Sequence, residues 1–172
     1  AYNGMVTKQE GATTALADVQ ATYQRRADLL PNLTKTVKAY AKHEKETFEA
    51  VTKARTEATQ IKLDAESLTP EKLAAFQKAQ GDVSAAFGRL MAIAENYPEL
   101  KASENFKDLQ VQLEGTENRI NEARQKYNKA VQAYNQSVRT MPNVLVAGIF
   151  GFEKMSKFEA AEGSEKAPDL DI

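Results

Sequence analysis

The side chains best equipped for chemistry come in two pairs, Tyr127-Asn128 and Tyr134-Asn135. A spacing of seven is close to two helical turns, so both pairs lie on one face of a helix. Glu117, Arg119, Asn121 and Arg124 lie nearby in the sequence. Phenols, amides and an acid–base pair converging on one stripe could line a ligand groove. The same residues, buried, could instead fix helix register and partner choice. The structural reading is favoured, with Glu117, Arg124, Asn128 and Asn135 as a candidate buried polar network. The Tyr127/Asn128/Tyr134/Asn135 face remains the alternative, as a small-ligand or enzyme site.

Other chemistries lack their residues. A carboxylate-bridged metal pair in a helical bundle takes Glu-x-x-His from each of two helices. This chain has a single histidine, His43, and Tyr40 stands three residues before it. His43 is expected to be solvated or to pair with a neighbouring charge. The chain has no cysteine, so thiolate metal sites, disulfides and a cysteine nucleophile are excluded. Its eight glycines do not fall in the spacing of a phosphate-binding loop. Ser103 reads as a helix cap and Ser67 as a loop residue. No catalytic residue, metal or cofactor is expected.

These side chains need long helices to position them, and the composition supplies them. Of 172 residues 27 are alanine, against only 8 glycines and 5 prolines, which favours close-packed amphipathic helices over sheets. Net charge is −1, with both signs interspersed, so no basic field exists to hold nucleic acid.

Punctuation is clear at Thr69-Pro70-Glu71, a capped start, and at Asn96-Tyr97-Pro98, a break. Ser103-Glu104 opens a further helix and Met141-Pro142 closes it. From Phe106 through Leu109, Leu113, Thr116, Ile120, Ala123, Tyr127, Ala130, Tyr134 and Ser137 to Met141 the spacing alternates by three and four, a five-heptad seam. Similar stripes mark Ala12–Leu30, Leu33–Ile61 and Phe76–Ala94. Arg25-Arg26 suits a helix end, Asp28 a cap and Pro31 a first turn. A tight turn at Arg26–Asp28 is therefore expected rather than a kink. The fold class is all-α: a long antiparallel four-helix bundle over residues 1–160, followed by an acidic tail over 161–172.

The longest apolar run, Val144–Phe152, includes two glycines and is too short to span a membrane. It is expected to pack at one end of the bundle. Val144, Val146, Ile149, Phe150 and Phe152 form a candidate interaction patch there.

Gln24-Arg25-Arg26-Ala27-Asp28-Leu29-Leu30-Pro31-Asn32-Leu33 resembles the signature of the LemA family. So do Tyr40-Ala41-Lys42-His43-Glu44, Ala94-Glu95-Asn96-Tyr97-Pro98-Glu99-Leu100, Thr116-Glu117-Asn118-Arg119-Ile120, Tyr127-Asn128, Tyr134-Asn135 and Phe150-Gly151-Phe152. The resemblance runs in order from Tyr2 to about Ala160. It departs at the first helix, which lacks the family's frequent tryptophan, and at Ala27, where a larger residue is usual. The resemblance implies a single-pass bacterial cell-membrane protein, with an anchor upstream of residue 1 and the bundle on the cytoplasmic side. It assigns no catalytic residue.

With that anchor and four antiparallel helices, Pro142–Phe152 is expected beside the membrane-proximal pole, against lipid or a membrane protein partner. A mere kink at Arg26–Asp28 would flip the parity and send it to the far pole. The expected function is a non-enzymatic adaptor or scaffold with a protein partner still to be identified.

Overall fold

The computed structural model describes residues 2–140 and 143–158, the side chains of Glu66 and residues 143–146 excepted. The elements are α1 (Tyr2–Lys38), α2 (Lys45–Gln60), a short 3-10 turn (Ala65–Ser67), α3 (Pro70–Ala94), α4 (Pro98–Ala102), α5 (Glu104–Arg139) and α6 (Asn143–Phe150). The molecule is all-α. The expected acidic tail, 161–172, lies outside the described residues, as do Met141 and Pro142.

The turn expected at Arg26–Asp28 is not there: α1 runs unbroken for 37 residues, through Pro31. The reason is the apolar stripe. Tyr23, Ala27, Leu30, Leu33 and Val37 are all buried along one face of α1, and a turn at residue 26 would split that face. Asp28 does not act as a cap. Its carboxylate accepts from Gln24 Nε2, one turn earlier, at 2.9 Å.

The chain reverses instead at 39–44. Val37 O there accepts from both Tyr40 N and Ala41 N, a tightened last turn, and Ala41 is buried beneath. The reversal contains neither glycine nor proline, and Val37, Tyr40, Glu44 and Phe48 keep helical spacing across it. Periodicity therefore could not reveal it.

The displaced turn preserves the parity of the chain. Leu33 and Val37 share a cluster with Phe48, Leu90, Phe106 and Leu113, so the end of α1 meets the starts of α2 and α5 and the end of α3. At the other pole Met5 packs with Tyr134 and Val138. Thus α5 returns alongside α1, each about 55 Å long at 1.5 Å per residue. The 16 residues of α2 and 25 of α3 reach only about 24 and 37 Å.

Capping sets where α3 and α5 begin. The Thr69 hydroxyl accepts from Lys72 N at 3.1 Å and the Ser103 hydroxyl from Phe106 N at 3.3 Å.

The part of the α1–α5 pair that α2 and α3 leave bare is covered by the chain's end. Helix α6 sets Ala147 against Met5, Tyr134 and Val138. It closes with Gly151 at φ 73°, while Phe152 N donates to Ala147 O at 3.0 Å. That is a left-handed helix cap of the kind glycine adopts at no steric cost. Residues 152–158 then run as an extended strap back along α5.

Candidate functional site

The two polar pairs of α5 face this strap. Asn135 Nδ2 donates to Met155 O at 3.1 Å, and Met155 N donates to Asn135 Oδ1 at 2.8 Å. Asn128 repeats the arrangement one step along. Its Nδ2 donates to Phe158 O at 3.0 Å and its Oδ1 accepts from Phe158 N at 2.9 Å. Tyr127 Oη donates to Ser156 O at 3.0 Å, and Tyr134 shares a backbone hydrogen bond with Glu153.

The spacing has a geometric cause. Seven helical residues advance about 10.5 Å, and three extended residues advance about 10 Å. Asparagines at 128 and 135 therefore meet the backbone at 158 and 155 in register. The strap runs opposite to α5.

Phe158 is the strap's side-chain anchor. It is buried between Tyr127, whose ring centroid is 5.3 Å away, and Phe76 at 6.4 Å, with the Arg124 guanidinium 5.6 Å from its ring. Burial pushes the Tyr127 phenol up to about 12 and raises Tyr134 as well. Both phenols stay protonated at neutral pH; Tyr127 donates to Ser156 O, whereas Tyr134 Oη accepts from the Glu153 backbone, which offsets part of the rise that burial causes. Gln20 uses the same clamp at the α2–α3 connection, where its amide pairs with both Leu63 N and Leu63 O at 2.9 and 2.7 Å.

Glu117 and Arg124, expected in one network with the asparagines, have other neighbours. Glu117 Oε1 accepts from Arg26 Nη1 at 2.9 Å. Arg26 is 4% exposed and also donates to Ser84 Oγ, Gln80 O and Gln80 Oε1. Its guanidinium stands 5.3 Å from the Tyr23 ring centroid. Arg124 hydrogen-bonds the Tyr23 phenol, which burial nonetheless raises above its ordinary range. One buried arginine thus ties α1, α3 and α5 together, between the cluster containing Leu30 and the cluster containing Tyr23.

The sequence pattern hides the role of Arg26, because Arg25-Arg26 reads as the basic end of a helix. The signal was its place between Tyr23 and Leu30 on the apolar stripe, with Glu117 directly after seam residue Thr116.

Of the candidate patch, Ile149 and Phe150 are 78% and 59% exposed, and Phe152 is half-buried against Tyr134. Val144 and Val146 lie outside the described side chains. The Tyr2 ring centroid is 4.6 Å from that of Phe150 and 5.8 Å from that of Phe152, so α6 sits at the pole where α1 starts. His43 is exposed in the 39–44 reversal. Among the described residues, no group of three or more His, Cys, Asp or Glu converges as a metal site would.

The LemA family model matches residues 15–171. The chain belongs to the LemA family. Magnetosome protein MamQ of Magnetospirillum gryphiswaldense is 29% identical over 174 residues, covering 91% of this chain and 64% of the relative. Magnetosome protein MamQ 2 of Paramagnetospirillum magneticum is 30% identical over 175 residues, covering 92% and 64%. The chain thus spans a little under two thirds of the curated relatives it matches. Among the described residues of this LemA-family chain, no helix is long and apolar enough to cross a membrane.

Proposed function

We propose that this LemA-family chain is a membrane-associated, non-enzymatic scaffold whose α6 pole faces the lipid, the rest of the bundle standing off toward a protein partner. The observation that carries this is the clustering of exposed apolar side chains at one end: Tyr2, Ile149 and Phe150. Large apolar groups gathered on an exposed tip mark an interaction surface. Phe and Ile entering an interface gain about 1.5–3 kcal/mol each when fully buried. An anchor upstream of residue 1, as the family resemblance implies, would hold this same pole at the bilayer surface.

The enzyme or ligand reading is less favoured. The polar groups on which it depended, Tyr127, Asn128 and Asn135, are engaged with the strap backbone. Neither the family's name nor those of the relatives carries an enzymatic activity.

Flotation with vesicles of phosphatidylethanolamine and phosphatidylglycerol tests the proposal. The wild-type chain is expected to float with the vesicles. Ile149→Asp/Phe150→Asp is expected to cut the bound fraction at least tenfold with helicity unchanged. Equal flotation of the two proteins, or none by the wild type, overturns the membrane-facing pole.

A further inference from the structure

The strap is held in a manner that reads backbone rather than side chains. Asn128 and Asn135 each engage both the N–H and the C=O of one strap residue, and Tyr127 takes a third carbonyl. Only Phe158 is buried as an anchor; Glu153, Lys154 and Lys157 are exposed. Such a groove accepts an extended segment in a fixed register with an aromatic residue at its end.

The segment that fits is also detachable. Of its seven side chains only Phe158 is buried, with Phe152, Met155 and Ser156 half-buried, so its opening uncovers Tyr127 and Tyr134 but does not require α1 and α5 to separate, which is the property of a low-stability unit. It is joined to α6 through Gly151 at φ 73°, a residue free to change its backbone angles. Seven extended residues reach about 23 Å, ample to cross to a neighbouring helix packed at 8–10 Å.

We propose that the groove formed by Tyr127, Asn128 and Asn135 of α5, with Phe76 of α3, is a docking site for an extended segment, and that its occupant in trans is residues 152–158 of a second copy of this chain. A second copy carries the one segment known to satisfy every clamp. Exchange therefore regains each hydrogen bond and the Phe158 contact, and changes only the conformation at the hinge. Reciprocal exchange of an identical element is a low-cost route to a two-fold dimer. This inference stands apart from the membrane reading, since it concerns the flank of α5 and not the exposed tip.

Complementary variants test it in solution, without lipid. Asn128→Ala/Asn135→Ala keeps the strap and disables the groove. Met155→Pro/Phe158→Ala keeps the groove and disables the strap, because proline has no N–H to give Asn135. Each alone is expected to run as a monomer by light scattering. Mixed at tens of micromolar, they are expected to form a one-to-one dimer. A mixture that stays monomeric, with both partners showing wild-type helicity by circular dichroism, overturns strap exchange.

A second measurement guards against a variant that fails to fold. A fluorescent peptide of residues 151–158 is expected to bind the Phe158→Ala chain. N-methylation of the peptide at Met155 and Phe158 is expected to weaken it at least tenfold, since this removes the two donors and leaves every side chain. No binding overturns the docking site. Peptide binding with a monomeric mixture overturns the second copy as occupant and points to a segment of another protein.

Discussion

At the scale of single residues, the polar side chains divide into two sets with separate work. Arg26, Glu117, Gln80 and Ser84 join three helices in the interior. Removing one partner of a buried ion pair leaves the other charge without compensation. Arg26→Ala is expected to cost about 3–5 kcal/mol in urea unfolding, and Arg26→Met/Glu117→Leu to recover most of that loss. Tyr127 gives a pH test. Its folded value is raised to about 12 from an ordinary value near 10. The unfolded chain therefore ionises this phenol first as pH rises. Its contribution is complete below about pH 10 and declines as pH climbs toward 12. Tyr127→Phe is expected to be about 1 kcal/mol less stable at pH 7, through loss of the Ser156 hydrogen bond. It is also expected to show a shallower alkaline decline, read from melting temperature against pH. The sequence showed that Asn128 and Asn135 share a face. It did not show what they face, because their partners are backbone atoms of residues 155 and 158, which leave no mark in residue type.

At the scale of elements, caps were legible and the first reversal was not. Thr69 and Ser103 start α3 and α5 as their side chains require. Pro31 misled because proline commonly opens a helix, whereas here it lies inside one. Its missing N–H leaves the Ala27 carbonyl without the usual donor. The unbroken burial of Tyr23, Ala27, Leu30 and Leu33 outweighs that loss. The strap was legible only as an apolar stretch after a proline. Its extended form depends on the Gly151 cap and on the clamps. Asn135→Ala is expected to accelerate hydrogen exchange at the Met155 amide at least tenfold while the amides of α1 and α5 keep their protection. Equal exchange in mutant and wild type would show that the clamp does not hold the strap. Gly151→Ala, forced into the left-handed region, is expected to cost about 1 kcal/mol and to loosen the same amides.

At the scale of the whole molecule, the helical class and the place of the apolar segment were both readable from the sequence, although the path between them was not. The turn moved from Arg26–Asp28 to 39–44, and α6 still reached the pole of Tyr2. Three reversals separate the start of α1 from the end of α5 in either path, and an odd number returns the chain to its starting pole, so the pole did not depend on which turn formed. Unequal helix lengths explain the rest of the architecture. Because α2 and α3 are short, part of the α1–α5 pair would face water. Helix α6 and the strap cover it, leaving Ile149 and Phe150 at the tip. The chain contains no tryptophan, so Phe150→Trp places a single reporter at that tip, and Tyr40→Trp places one in the 39–44 reversal at the opposite pole. Quenching of each by brominated lipid in vesicles reads which pole meets the bilayer. Strong quenching at position 150 with none at position 40 is expected. Equal quenching at both positions, or quenching at position 40 alone, would contradict the membrane-facing α6 pole.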